Sequence, residues 1–168
     1  GINLDSLWSS LIAGKSGIDK ITSLDPSDFY CQIGGEIREF EPAQYFKNPK
    51  DARRADRYCQ LAMAGAKMAF DDSGFSEGTY DPYRFGCMVG SGIGGLHTLE
   101  KQHKNYLEKG PSRVSPFTIP MMIANIASGL ISMEYQLAGP NMSIVTACAS
   151  ANHNIGEAWR MIKFGDAD

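Results

Sequence analysis

With 168 residues, 43% of them hydrophobic and 21% charged, the chain has the length and composition of a soluble globular domain with a sizeable core. A net charge of −3 excludes global attraction to nucleic acid or an anionic membrane, so any basic docking surface is local. No apolar run approaches the roughly 20 residues that span a bilayer. Cysteines at 31, 59, 87 and 148 form no C-x-x-C pair and the histidines no H-x-x-x-H, so neither a disulfide framework nor a metal site is expected.

In chain order, Asn3 caps a predicted helix whose Leu4, Leu7, Trp8, Leu11 and Ile12 make one apolar stripe, and Gly14 ends it. Residues 15 to 50 read as turns and short strands punctuated by Gly and Pro. A second helix fits 52 to 72, with Arg53, Arg54 and Arg57 in its first turn. RFGCMVGSG (84 to 92) reads as a buried strand entering a glycine turn, and a helix follows from about Leu96 to Leu107. Pro111, Pro116 and Pro120 break a loop, after which 121 to 135 is helical and apolar almost all round. A strand, MSIVTA (142 to 147), and a helix from about Ser150 to Ile162 complete an α/β alternation. No secretory leader is read. Because the chain opens on Gly1 rather than Met, targeting is not legible, and the cysteine usage points to a reducing compartment, cytoplasmic or organellar.

GSGIGG (90 to 95) matches a dinucleotide-binding fingerprint between a strand and a helix. That fingerprint needs a second strand with an acidic end about 20 residues later, whereas KGPSRVSPFTIP (109 to 120) holds three prolines and no hydrophobic strand. The glycines are better read as permitting a tight turn and a close backbone approach.

Cys148 stands where a β-branched run meets small residues and a helix. Unpaired amides and the dipole at that helix start favour a thiolate, and backbone amides there suit a developing oxyanion. Acyl transfer to sulfur is the natural chemistry of such a site. The competing reading is a small, inert core cysteine, which is also the reading for Cys31, Cys59 and Cys87. His153, five residues on, is read as a structural neighbour rather than a base.

VTACASANHNIGEAWRMIKFGDAD (145 to 168) resembles the nucleophile segment of 3-oxoacyl-[acyl-carrier-protein] synthases, the condensing enzymes of fatty acid synthesis. LWSSLIAGKSGI (7 to 18), GSGIGG, SPFTIPMMIANIASGLIS (115 to 132) and GPNMSIVTAC (139 to 148) occur in that family's order, closest to its elongating type II branch. The resemblance implies a thiolase-like fold of layered α and β elements (αβαβα), with 1–168 as most of the first α/β half. That N-terminal domain would be incomplete at both ends and lack the C-terminal half.

It also implies decarboxylative condensation: Cys148 takes an acyl chain, malonyl carrier protein loses carbon dioxide, and the carbanion attacks the thioester. Ile93 matches a gate to the acyl pocket, and Thr118 and Ile119 match a loop reaching the partner's pocket in a homodimer. Lys50, Arg53, Arg54 and Arg113 match positions that receive the acyl carrier protein. No cofactor is implied beyond the phosphopantetheine that the carrier brings. The family's two catalytic histidines and a lysine lie in the second half, so this chain alone is expected to be inactive. A polyketide-type ketosynthase, an inactive truncated domain and a nicotinamide-dependent oxidoreductase are the alternatives.

Overall fold

In a computed structural model describing residues 1–76 and 78–168, the chain divides into two compact units, Gly1–Glu41 and Pro42–Asp168. In the first, helix α1 spans Leu4–Ile12. The Asn3 side chain accepts from the Ser6 amide at 2.9 Å, and the Ser6 hydroxyl accepts from the Asn3 amide, so two orphan donors are satisfied reciprocally. The helix stops where Gly14 takes φ +61° and Lys15 N–H reaches back to Ser10 O. Strands β1 (Ile18–Lys20) and β2 (Ile33–Gly35) then pair antiparallel, with Asp19 opposite Gly34.

Beyond β2, Glu36 closes the turn region. Its carboxylate accepts from the Ser23 amide at 2.9 Å and from the Thr22 amide and hydroxyl. Hydrogen bonds from Ser23, then Thr22, hold the carboxyl at about 2. The folded value lies below the ordinary glutamate value of about 4.3, so this support is full above that pH and fades as pH falls toward about 2. Protection of the Thr22 and Ser23 amides, followed by NMR hydrogen exchange, is expected to decline across this window. Glu36→Gln is expected to remove the pH dependence.

In the second unit, 3-10 turns at Pro42–Tyr45 and Asp51–Arg54 lead into helix α2, Arg57–Ser73. The predicted start at 52 is therefore corrected. Asp56 is the N-cap of α2, accepting from Tyr58 N–H, and Arg53 and Arg54 sit on the turn before it. Gly74, at φ +74°, ends the helix. Strands β3 (Cys87–Met88) and β4 (Asn141–Met142) pair parallel, Cys87 with Asn141 and Met88 with Met142. Helix α3 runs Leu96–Lys109 and a 3-10 turn spans Pro111–Arg113. Helices α4 (Thr118–Met122) and α5 (Ile126–Tyr135) follow, and after β4 a 3-10 turn, Ala147–Ala149, opens into α6 (Ser150–Phe164).

The core lies where α2 packs on α5. Cys59 and Met63 of α2 are 0% exposed and meet the buried Ala127 and Ile131. Phe70 stacks on Tyr135 with ring centroids 3.9 Å apart.

Three sequence expectations are revised here. The 121–135 helix is two helices broken at Ile123–Asn125, because Ile123 turns extended (ψ 140°) and its carbonyl accepts from the Tyr58 hydroxyl. The face of α5 toward the sheet is also polar: buried Ser128 receives Val89 N–H and donates to Met142 O, while Asn141 donates to Ser128 O and to the Ser132 hydroxyl. Both predicted strands are shorter than their β-branched runs, since side chains take over as partners beyond Met88 and Met142. Buried backbone groups need partners, but a neighbouring strand is not the sole source.

Candidate active site

The site grows from the extended segment after β4. Asn154, in the second turn of α6 and 3% exposed, accepts from Ile144 N–H at 3.1 Å and donates to Ile144 O at 2.8 Å. One side-chain amide thereby imitates a strand edge. Four residues earlier on the same helix face, buried Ser150 accepts from Thr146 N–H at 2.9 Å and donates to Ala147 O at 2.7 Å. Asn154 also donates to Ser150 O. The two side chains lash residues 144–147 to the beginning of α6, and Cys148 projects from that lashing.

The turn carries strain. Ala147 has φ +49°, in the left-handed region, at a cost of about 1 kcal/mol for a residue with a Cβ. Thr146 Oγ1 is buried without a hydrogen-bond partner among the described residues. Two of the amides expected to face the sulfur are used inside the turn, Ala149 N–H on Thr146 O and Ser150 N–H on Ala147 O. Cys148 itself is exposed, so the reading of it as a walled-in core residue does not hold. Cys59 and Cys87 are buried, and desolvation pushes each thiol up to about 11. Cys31 is exposed, and its thiol donates to Ile33 O. His153 is exposed on α6.

The GSGIGG glycines make the close approach expected of them. A Cβ on Gly90 would collide with Asn154 Nδ2 and lie 2.8 Å from Ile144 O, while one on Gly92 would sit 3.8 Å from Ala147 Cα. The glycine turn therefore lies against the cysteine turn, and Ile93, 72% exposed, is at its tip. Farther along, Gly94 (φ +81°) and Gly95 press on the carbonyls of Met122 and Met121. The amides of Gly95, Leu96 and Thr98 at the start of α3 are taken by Met122 O, Gly94 O and Asp56 Oδ2. A pyrophosphate at this helix start would have to displace all three.

Thr118 and Ile119 are the first residues of α4, not of a loop. Pro120 is tolerated because it falls in the first helical turn, where N–H groups are orphans anyway. The half-buried Thr118 donates its hydroxyl to Ser115 O, and Ile119 is exposed. Lys50, Arg53 and Arg54 cluster at one 3-10 turn, and Arg113 ends another. All four are exposed, and among the described residues none is ion-paired with a carboxylate. The Arg54 guanidinium lies 5.2 Å over the Phe117 ring, next to α4.

Residue-type reasoning singled out Cys148 but took Ser150 merely as small and passed over Asn154 and Asp56. Two polar residues four apart on a helix start, facing a β-branched strand, were the available signal for Ser150 and Asn154.

The family model for the beta-ketoacyl synthase N-terminal domain matches residues 1–168. A 3-oxoacyl-[acyl-carrier-protein] synthase 2 of Coxiella burnetii is 46% identical over 168 residues, covering 100% of this chain and 40% of that protein. The synthase 2 of a Synechocystis strain is 43% identical over 167 residues, covering 99% of this chain and 40% of its own length. Among solved structures, the ishigamide ketosynthase/chain length factor matches with a TM-score of 0.87 and 28% identity, over 99% of this chain and 41% of that one. The chain spans about two-fifths of the length of the curated relatives it matches.

Proposed function

The chain belongs to the beta-ketoacyl synthase family through its N-terminal domain, and on that premise we propose that it carries the nucleophile of a 3-oxoacyl-[acyl-carrier-protein] synthase. It covers the N-terminal part of the thiolase-like α/β fold. The observation that carries the reading is Cys148 exposed on a strained turn that Ser150 and Asn154 fix at the start of α6.

In the proposed reaction the Cys148 sulfur attacks an acyl thioester, and the carrier's phosphopantetheine thiol leaves. Malonyl carrier protein then loses carbon dioxide. Its carbanion attacks the acyl carbon and expels the Cys148 sulfur, giving a 3-oxoacyl thioester two carbons longer. Histidines outside 1–168 assist the decarboxylation. Ile93 borders the acyl entrance, while Thr118 and Ile119 approach the pocket of a second copy in a homodimer. Lys50, Arg53, Arg54 and Arg113 steer the acidic carrier, which brings the one prosthetic group required. A cytoplasmic setting belongs to the same reading. Fatty acid elongation is favoured over polyketide assembly because the relatives of higher identity are synthase 2 proteins.

Incubating the full-length protein with acyl carrier protein thioester, then mapping peptides by mass spectrometry, is expected to find the acyl group on Cys148. An acyl group on any other residue, or none, removes the proposal.

A further inference from the structure

Nothing in the proposed chemistry uses Asp56, a carboxylate only 5% exposed that has no ionic partner among the described residues. Instead it bridges two helix starts. Oδ1 accepts from Tyr58 N–H at 3.3 Å in α2, and Oδ2 accepts from the Thr98 amide at 2.8 Å and the Thr98 hydroxyl at 2.6 Å in α3. An anion at two N-termini is favoured by both dipoles. Two residues on, the Tyr58 hydroxyl donates to Ile123 O at 2.5 Å, at the break between α4 and α5. The same first turn of α2 therefore grips two segments far apart in sequence.

Those segments also touch each other. Gly95 N–H donates to Met122 O at 2.8 Å, and a Cβ on Gly95 would come within 3.0 Å of Asp56 Oδ2. The glycine turn and the end of α4 meet backbone to backbone, and the Asp56 carboxylate packs against the glycine turn from the start of α2. The far end of the glycine turn rests on Ala147, next to Cys148. The glycine turn thus runs from the Asp56 contact to the backbone beside Cys148.

We propose that Asp56 and Tyr58 are positioning residues which hold the base of the glycine turn and the α4–α5 break in one register, and so set how bulky an acyl chain reaches Cys148. The substrate part of this inference rests on the function proposed above. Neither residue touches the acyl group. Their effect is on the room left for it, so a short chain is affected less than a long one.

The test uses the full-length protein with Asp56→Asn, Tyr58→Phe, Thr98→Val and the conservative Thr98→Ser. Acylation of Cys148 is timed with a two-carbon and a long-chain thioester. Asp56→Asn and Thr98→Val are expected to lower the long-to-short rate ratio by about tenfold, the scale of one lost hydrogen bond to a buried charge. Thr98→Ser, which keeps both donors, is expected to restore it. A loss of stability with an unchanged ratio overturns the proposal.

Hydrogen exchange supplies a readout independent of activity. Tyr58→Phe removes the hydroxyl that binds Ile123 O and faces Cys59 and the Ala127 amide, yet exchange is expected to rise at Gly95 and Thr98 as well as at Ile126 and Ala127. A rise confined to Ile126 and Ala127 overturns the coupling even in a well-folded variant. Failure of the unsubstituted protein to acylate Cys148 sinks the proposed function, while the exchange result still decides the clasp.

Discussion

Cys148→Ala in the full-length protein is expected to leave no acyl-enzyme detectable by intact mass, with stability changed by no more than about 0.5 kcal/mol, as for exposed positions generally. The asymmetry follows from the geometry. The sulfur is exposed and contributes little packing, while the turn is held by Ser150 and Asn154, neither of which bonds to it. Release of carbon dioxide from malonyl thioester is expected to continue in this variant, since the proposed mechanism assigns that step to histidines outside 1–168. General alkylating reagents distinguish the thiols less sharply, because Cys31 is also exposed. Buried Cys59 and Cys87, each pushed up to about 11, are expected to resist alkylation at neutral pH. A persisting acyl adduct in Cys148→Ala would place the nucleophile elsewhere.

Gly90→Ala is the second large effect. Its methyl group would meet the Asn154 amide nitrogen, Ile144 O at 2.8 Å and Ser150 Cβ at 3.1 Å. These atoms belong to the very groups that lash the cysteine turn, and none is the free end of a flexible side chain. If Asn154 moves, Ile144 loses partners for both its N–H and its C=O. Overpacking and orphaned polar groups together are expected to cost about 2–4 kcal/mol in urea denaturation. Acylation of Cys148 is expected to slow by at least about tenfold, since a misplaced nucleophile loses its near-attack geometry. Gly92→Ala, two residues away, is the matched control. Its Cβ finds only ordinary contact with Ala147, so near-wild-type stability and acylation are expected. Equal behaviour of the two variants would show that Gly90 does not approach α6 as closely as described.

That pair also shows how far the sequence could be read. Gly90 and Gly92 are alike in GSGIGG; what separates them is the side chain of Asn154, far along the sequence. Local signals were sufficient where local physics decides. Asn3 and Gly14 bracket α1, periodicity marks α3 and α6, and the small residues around Cys148 leave it open. They failed where tertiary hydrogen bonds replace secondary ones. The runs 84–92 and 142–147 have strand composition, yet Ser128, Ser150 and Asn154 take the place of neighbouring strands along much of their length. The apolar run 121–135 reads as one helix because nothing within it announces that Tyr58 will bind Ile123 O. Asp56 was not singled out from the sequence, and its burial between two helix starts has no local signature. The layered α/β class and the family membership were legible through the resemblance, because several motifs fall in one order along the chain.

The left-handed backbone at Ala147 bears on any attempt to transplant this nucleophile into another scaffold. A cysteine grafted at the start of a borrowed helix would relax to the ordinary right-handed geometry and aim its sulfur elsewhere. The transferable module is the segment from Ile144 to Asn154 together with a facing chain that, like Gly90, has no side-chain carbon. Enzyme designers who copy the reactive atom without its harness should obtain a thiol that is alkylated readily and acylated poorly.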